Sequence, residues 1–220
     1  MEIQPDAQPQ TQLPSPFFSI LVQPRKTIRR IVDTNPTKHV IILAMLAGLA
    51  QALERASSRS MGDRGPLILI MICVPIFGAM GGVLSIYLNG AILRWTGSWL
   101  GGQASSEEVR AAIAWSFVPT IFVLPLWIPK LLILGEEIFT SSTPRMEADP
   151  ALAFLWLGFG LIEIILGMWA FALLPTSLSE VHQFSIWKSL GAIFLAALVY
   201  AIFVLCLAGV FIGLGLFPRP

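Results

Sequence analysis

Five long apolar runs, separated by shorter polar segments, constrain the fold of this chain more than any other feature. A helix needs about 20 predominantly apolar residues to cross the hydrocarbon core of a bilayer, and each run approaches or exceeds that length. The composition agrees, because 55% of the residues are hydrophobic and 12% are charged, against about 25% charged in soluble domains. We therefore predict an all-α integral membrane protein, a five-helix bundle with spans at residues 37–56, 66–93, 106–134, 151–174 and 188–216.

The charge balance and the cysteines exclude several other classes of protein. The chain has 14 Lys and Arg residues against 13 Asp and Glu residues, a net charge of +1, which provides no footprint for nucleic acid. Cys73 and Cys206 lie inside apolar runs, far from other metal-ligating side chains, so we interpret them as small apolar residues. No motif for a metal, a cofactor or a catalytic group occurs, and we expect no cofactor and no enzymatic activity.

Two segments precede the first span. Residues 1–16 are rich in Pro and Gln and contain no aromatic residue, a composition that predicts a flexible tail. Residues 17–36 form a predicted interfacial amphipathic segment, in which a short helix begins near Pro24 and turns Ile28, Ile31 and Val32 to one side. We expect this helix to lie in the membrane interface and to contact anionic headgroups, the alternative being an ordinary solvated basic turn. The cations that face water are Arg25, Lys26, Arg29 and Arg30.

Small residues at a spacing of four predict where the spans pack together. This spacing places small side chains on one face of a helix, where they let two backbones approach closely. The predicted packing residues are Ala44, Gly48 and Ala52 in the first span, Gly78 and Gly82 in the second, and Gly209 and Gly213 in the fifth.

The third span contains three prolines that interrupt a regular helix. Pro119, Pro125 and Pro129 lie six and four residues apart, and each lacks the N–H that a helical hydrogen bond needs. Broken backbone at membrane depth survives where protein or water lines it. We therefore expect this span to pack inside the bundle.

The fourth span carries a carboxylate, Glu163, close to its middle. A charge at mid-bilayer is costly unless it is protonated or paired, so Glu163 should face the bundle interior. We expect Pro175 to end this helix. Counted from the following turn, Tyr200 of the fifth span then reaches the same depth, which predicts a hydrogen bond between Tyr200 and Glu163.

The polar segment between the second and third spans has the features of a helix, a turn and a second helix. Gly101 and Gly102 permit a sharp reversal, and Ser105 with Glu108 has the spacing of a capping box. An odd number of spans places the termini on opposite faces. With a cytoplasmic N-terminus, eight Lys and Arg residues fall on the cytoplasmic side and six on the other side, which favours this orientation.

Three stretches together resemble the bacterial branch of the Yip1-domain family. Residues 93–119 contain an aromatic helix end, a Leu-Gly-Gly turn and a final Ser-Phe-Val-Pro. Residues 23–36 resemble the family's amphipathic Pro-Arg-x-Thr entry before the first span. Residues 169–194 resemble the family's connection from the fourth to the fifth span. The resemblance implies a five-span protein of the bacterial cytoplasmic membrane with its N-terminus in the cytosol. In eukaryotic members it would imply small-GTPase binding and vesicle trafficking, a role we do not transfer because their Asp-Leu-Tyr-Gly-Pro type motif is absent.

These observations predict an integral membrane scaffold or interaction protein that recruits other membrane proteins, self-associates or organises lipid. The alternative is a small transporter or channel subunit that uses Glu163 at mid-bilayer, since Glu163, the broken third span and Lys130 are features of ion paths. Lys130 can also snorkel to the surface, and Glu163 can be a structural hydrogen-bonding residue.

Overall fold

The computed structural model describes residues 15–213, and within this range every regular element is helical. The tail predicted at residues 1–16 lies outside the described residues except for its last two positions, as do residues 214–216 of the predicted fifth span. The described α-helices are α1 (Pro16–Val22), α2 (Pro24–Thr34), α3 (Val40–Ser58), α4 (Leu67–Trp99), α5 (Ser106–Ser116), α6 (Val118–Ile121), α7 (Leu124–Leu134), α8 (Pro144–Ala148), α9 (Pro150–Val181) and α10 (Ile186–Gly213).

Five stretches of the described chain are long and apolar enough to cross a bilayer, which confirms the predicted all-α, five-span fold. Their lengths run from 19 to 33 residues, so the longest exceed what the hydrocarbon core requires and either tilt or extend past it. The stretches are Val40–Ser58, Leu67–Trp99, Val118–Phe139, Pro150–Val181 and Ile186–Ile212.

The third crossing is broken, as its prolines predict, but it begins later than the sequence suggests. The interval predicted as one span, residues 106–134, is divided into α5, α6 and α7. The apolar crossing itself is Val118–Phe139, whereas α5 is a separate helix in which residues 111–116 are all buried. Because α5 packs against α3, α4 and α9, it fills the centre of one half of the bundle.

The prediction that Pro175 ends the fourth helix is wrong, because α9 continues to Val181. Proline is tolerated within membrane helices where side chains and neighbouring helices provide further hydrogen bonds. Thr176 Oγ1 donates to the carbonyl of Ala172 at 3.0 Å, and Ser189 Oγ of α10 donates to the carbonyl of Pro175 at 2.7 Å. The turn between the two last spans is therefore short, residues 182–185.

The bundle has two distinct ends. One end, which we call the turn end, contains the turns at residues 100–105 and 182–185. There α2 packs against α5 and α9, with an ion pair between Arg29 and Glu180 of α9. At the opposite end, which we call the loop end, residues 57–66 contact residues 135–149. Ser57 Oγ donates to the carbonyl of Ile138 at 2.8 Å. The N–H of Ser141 also donates to the Asp63 carboxylate.

The N-terminal helices pack on the turn end. Helix α2 begins at Pro24, as predicted, and it buries Thr27, Ile28 and Ile31 against α5 and α9. Ile20 of α1 is also fully buried. The apolar face of α2 is thus covered by the protein, and its predicted position in the membrane interface stays a prediction.

Candidate functional site

The tightest helix contact lies between α3 and α4, where the predicted small residues meet. A Cβ atom placed on Gly78 would lie 2.6 Å from the Cβ of Ala52, and one on Gly48 would lie 2.6 Å from the Cα of Gly82. The same construction at Gly82 collides with the backbone of Ala44. The spacing in the first two spans therefore marks a real backbone-to-backbone contact.

The corresponding prediction for the fifth span is not met within the described chain. A Cβ on Gly209 would have no atom within 4 Å, so this glycine contacts no other described helix. Gly213 is the last residue described, and its packing lies outside what the structure records.

Glu163 forms an ion pair with Lys130 of α7, in which Lys130 Nζ lies 2.6 Å from Glu163 Oε1. The Lys130 side chain is 2% exposed, so it does not snorkel to the surface, and that of Glu163 is 15% exposed. The Trp127 and Trp156 rings flank the ammonium group, with centroids 4.6 and 4.8 Å from Nζ. Glu54 of α3 also interacts electrostatically with both members of the pair.

The predicted hydrogen bond between Glu163 and Tyr200 is wrong. The hydroxyl of Tyr200 instead donates to Asn89 Oδ1 of α4 at 3.0 Å. The prediction assumed that α9 ends before Pro175. Because α9 continues, Glu163 lies 18 residues before the end of α9 and Tyr200 lies 14 residues after the start of α10, a difference in depth of about 6 Å.

The central turn has the predicted capping box. The N–H of Ser105 donates to Glu108 Oε2 at 2.6 Å, and the N–H of Glu108 donates to Ser105 Oγ at 3.3 Å. Gly101 has a φ of +86°, which favours glycine because other residues rarely adopt it. Gly102 is needed for a different reason, a close approach to His182.

His182 is the buried centre of the turn end. Its side chain is 1% exposed, and a Cβ placed on Gly97 would lie 2.6 Å from its Cε1. Neither ring nitrogen has a hydrogen-bond partner among the described residues. Burial lowers the pKa of His182 below its usual value, while the Glu108 carboxylate acts in the opposite direction. The ring is therefore neutral at pH 7.

The turn end also carries charged residues that form contacts of their own. Arg29 of α2 pairs with Glu180 at 2.9 Å, and Lys188 Nζ of α10 donates to the carbonyl of Leu100 at 3.1 Å. Arg29 is thus engaged by a protein carboxylate, whereas Arg25 and Lys26 are exposed. Headgroup binding by Arg25, Lys26, Arg29 and Arg30 stays a prediction.

The turn end brings together the three stretches on which the family resemblance depends. Arg29 belongs to the first, Gly97 and Gly102 to the second, and Glu180 and His182 to the third. The sequence signals for these contacts were incomplete. His182 follows a long apolar run, a position that suggests a boundary residue, and the glycines that accommodate its ring resemble ordinary turn glycines.

Comparison with known proteins gives one match. A family model, the Yip1 domain, matches residues 18–208. No curated protein and no solved structure matches the chain.

Proposed function

Because this chain belongs to the Yip1-domain family, whose model covers nearly all of it, we propose that it is a membrane scaffold that assembles with other membrane proteins or with a second copy of itself. The proposal assigns it no catalytic step and no cofactor. It places the protein in a bacterial cytoplasmic membrane, with the turn end and the N-terminus in the cytoplasm. Anionic lipids are the second expected partner, at the cations of α2.

The observation that carries the proposal is the uncovered half of α10. Its first half packs against α4 and α9, but every residue from Ala201 to Leu207 is exposed. Gly209, two residues beyond Leu207, has open space at the position of a Cβ atom. This surface, which we call the α10 face, is apolar and contains a small residue where another helix can approach closely.

The α10 face contains a natural reporter. Cys206 is exposed, and the chain has one other cysteine, Cys73. In native membranes of a Cys73→Ser variant, mild oxidation should link Cys206 to a second copy if α10 mediates self-association. A different membrane protein on this face should instead be recovered in stoichiometric amount during purification in mild detergent.

A matched pair of variants tests which helix mediates assembly. Gly209→Leu should reduce the Cys206 cross-link or the recovery of the partner, because the larger side chain blocks close approach. Gly158→Leu on α9 is the control, since Gly158 also has no atom near its Cβ position. A protein that purifies as a monomer without partners, and whose Cys206 forms no cross-link in native membranes, would contradict the proposal.

Transport remains a second candidate because a buried ion pair, Lys130 with Glu163, lies beside the broken third span. Liposomes that contain the protein and a pH-sensitive dye test this candidate. Transport predicts proton flux that is lost in a Lys130→Met/Glu163→Leu variant that still folds. Absence of flux with the wild-type protein would instead assign the pair a structural role.

A further inference from the structure

The ring of His182 lies between the two turns of the turn end. His182 follows the last residue of α9, and a Cβ atom on either Gly97 or Gly102 would collide with the ring. The centroid of the Phe184 ring lies 5.0 Å from that of His182. Because the His182 side chain is 1% exposed and interiors are closely packed, the ring cannot move without displacing one of the turns.

Hydrogen bonds do not hold this ring in place. Neither ring nitrogen has a partner among the described residues, although a neutral imidazole has one N–H donor and one acceptor nitrogen. The carbonyl of Gly97, beside the ring, accepts from the N–H groups of Leu100 and Gly102 at 3.1 and 3.0 Å, which occupies both of its lone pairs. The ring is therefore held by packing.

Protonation changes what the ring requires. The imidazolium has two N–H donors and a positive charge, and its surroundings provide no acceptor among the described residues. Burial lowers the pKa of His182 below its usual value of about 6.5. The enclosed arrangement therefore favours the neutral ring, and it loses stability as pH falls from about 6.5 through the lowered pKa.

One carboxylate acts on the ring from α5. Glu108 opposes the effect of burial on the pKa of His182, as a nearby negative charge does. No hydrogen bond joins Glu108 to the ring in this structure. Glu108 Oε2 instead accepts from the N–H of Ser105 at 2.6 Å, as one half of the capping box. To receive a proton from the ring in a hydrogen bond, this carboxylate has to leave Ser105, or the ring has to move toward it.

The other charged groups on the elements around the ring are engaged elsewhere or exposed. Glu180 of α9 pairs with Arg29 of α2 at 2.9 Å, and Lys188 of α10 donates to the carbonyl of Leu100 at 3.1 Å. On α4 and α5, two charged residues are exposed and a third lies over the Tyr87 ring; they are Arg94, Glu107 and Arg110. The carboxylate of the capping box is thus the acceptor available to a charged ring.

From this combination we propose that His182 and Glu108 form an acid-sensitive switch between the two turns. In the closed state, which the structure shows, the neutral ring packs between the turns and Glu108 caps α5. In the acid state the ring takes a proton from solvent and donates a hydrogen bond to Glu108. The bond from the N–H of Ser105 is lost, and residues 100–105 separate from residues 182–185.

The switch also changes the surface on which α2 lies, because α2 packs against both α5 and α9. It involves neither the α10 face nor the ion pair of Lys130 with Glu163, so it can fail separately from the scaffold and transport candidates. In the orientation proposed above, the switch responds to the pH of the cytoplasm.

Hydrogen–deuterium exchange of the full-length protein in phosphatidylcholine nanodiscs tests the switch. Rates at pH 7 and pH 5 are corrected for the effect of pH on chemical exchange. We expect residues 97–108 to lose protection at pH 5, whereas residues 57–66 of the loop end keep theirs. His182→Leu should abolish this loss, because the variant has no ring to protonate.

Glu108→Gln separates the charge of Glu108 from its role in the capping box. Glutamine at this position also completes a capping box, so α5 should stay protected at pH 7. The midpoint of the acid-induced loss should shift to lower pH, because the imidazolium has lost the carboxylate that receives it. His39→Gln, which alters an exposed histidine, is the control and should keep the wild-type midpoint.

Three results would overturn the switch. The first is equal protection of residues 97–108 in the wild-type protein at both pH values. The second is a loss of protection that persists in His182→Leu. The third is the same midpoint in Glu108→Gln and the wild type, a result that remains informative if His182→Leu does not fold.

Discussion

Among single residues, Lys130 and Glu163 form the more buried of the two ion pairs found among the described residues. Each charge is largely removed from water, and the attraction within the pair offsets part of the cost of desolvating both. The two tryptophan rings beside Lys130 hold the ammonium in an apolar environment. Loss of one partner leaves the other charge buried without its ion-pair partner, and loss of Lys130 also leaves Glu163 beside the like charge of Glu54.

Removal of one or both charges should therefore give a non-additive mutant cycle. Glu163→Gln should destabilise the purified protein by about 3 kcal/mol, because Lys130 stays buried with only Glu54, which forms no ion pair with it, as a nearby carboxylate. Lys130→Met/Glu163→Leu should recover most of that loss, and thermal unfolding in detergent measures both. Glu147→Gln, at an exposed position of α8, is the control and should change stability little. Equal stability of the single and double variants would contradict a structural ion pair.

His182 predicts a pH dependence of stability. Its pKa is lowered in the folded protein because the ring is buried, so between the folded pKa and about 6.5 the unfolded chain binds more protons. Stability from the neutral ring is fully present above about pH 6.5 and is lost as pH falls through that window. We expect the melting temperature to fall on acidification in the wild type and less in His182→Leu.

The second histidine provides the matched control for this measurement. His39 is exposed, so His39→Gln should keep the pH dependence of the wild-type protein. If His182→Leu and the wild type lose the same stability between pH 7 and pH 5, other groups cause the acid sensitivity. The surroundings of His182 could not have been predicted, because they depend on two turns that are about 80 residues apart in the chain.

At the level of elements, the contact between α3 and α4 depends on the absence of side chains at particular positions. Gly82 faces the backbone of Ala44, whereas its neighbour Gly81 faces open space. The two glycines therefore lie in the same helix and have the same intrinsic helix propensity, but their surroundings differ.

Alanine at these two positions should have opposite effects. Gly82→Ala should destabilise the protein by about 1–3 kcal/mol, because α3 and α4 must separate to admit the methyl group. Gly81→Ala should be neutral or stabilise the protein by up to about 1 kcal/mol, since alanine favours the helix. Unfolding of both variants in the same detergent compares them directly, and an equal loss would show that the tight contact does not exist.

The prolines show what sequence can and cannot predict about the helices. The third crossing is broken, as expected, with Pro119 and Pro125 in the first turns of α6 and α7, but Pro129 lies inside α7 and does not break it. Pro75, Pro129 and Pro175 lie within continuous helices. Near Pro175, hydrogen bonds from Thr176 and Ser189 hold the carbonyls of Ala172 and Pro175, although neither reaches the carbonyl of Phe171 that the proline leaves without its helical donor. Because one of these donors comes from another helix, no local pattern distinguishes a tolerated proline from a helix end.

For the whole molecule, the number of spans and their order could be predicted from hydropathy alone. Their mutual arrangement could not, because burial separates residues that hydropathy treats alike: α5 is enclosed by the bundle, while the second half of α10 is exposed. The small-residue spacing predicted the α3–α4 contact correctly, but at Gly209 no described helix lies against it. Spacing identifies a surface that permits close approach, and the partner decides whether it is used.

The central claim is that the N-terminal helices and both short turns share one face of the membrane, with the loop end on the other. The test is labelling with a membrane-impermeant maleimide in inside-out and right-side-out vesicles, in a Cys73→Ser/Cys206→Ser background. Lys26→Cys, Gln103→Cys and Ser142→Cys each alter an exposed residue. The structure predicts that the first two are labelled from the same face, which the proposed orientation makes cytoplasmic, and Ser142→Cys from the opposite face. Labelling of Lys26→Cys and Gln103→Cys from different faces would contradict the arrangement.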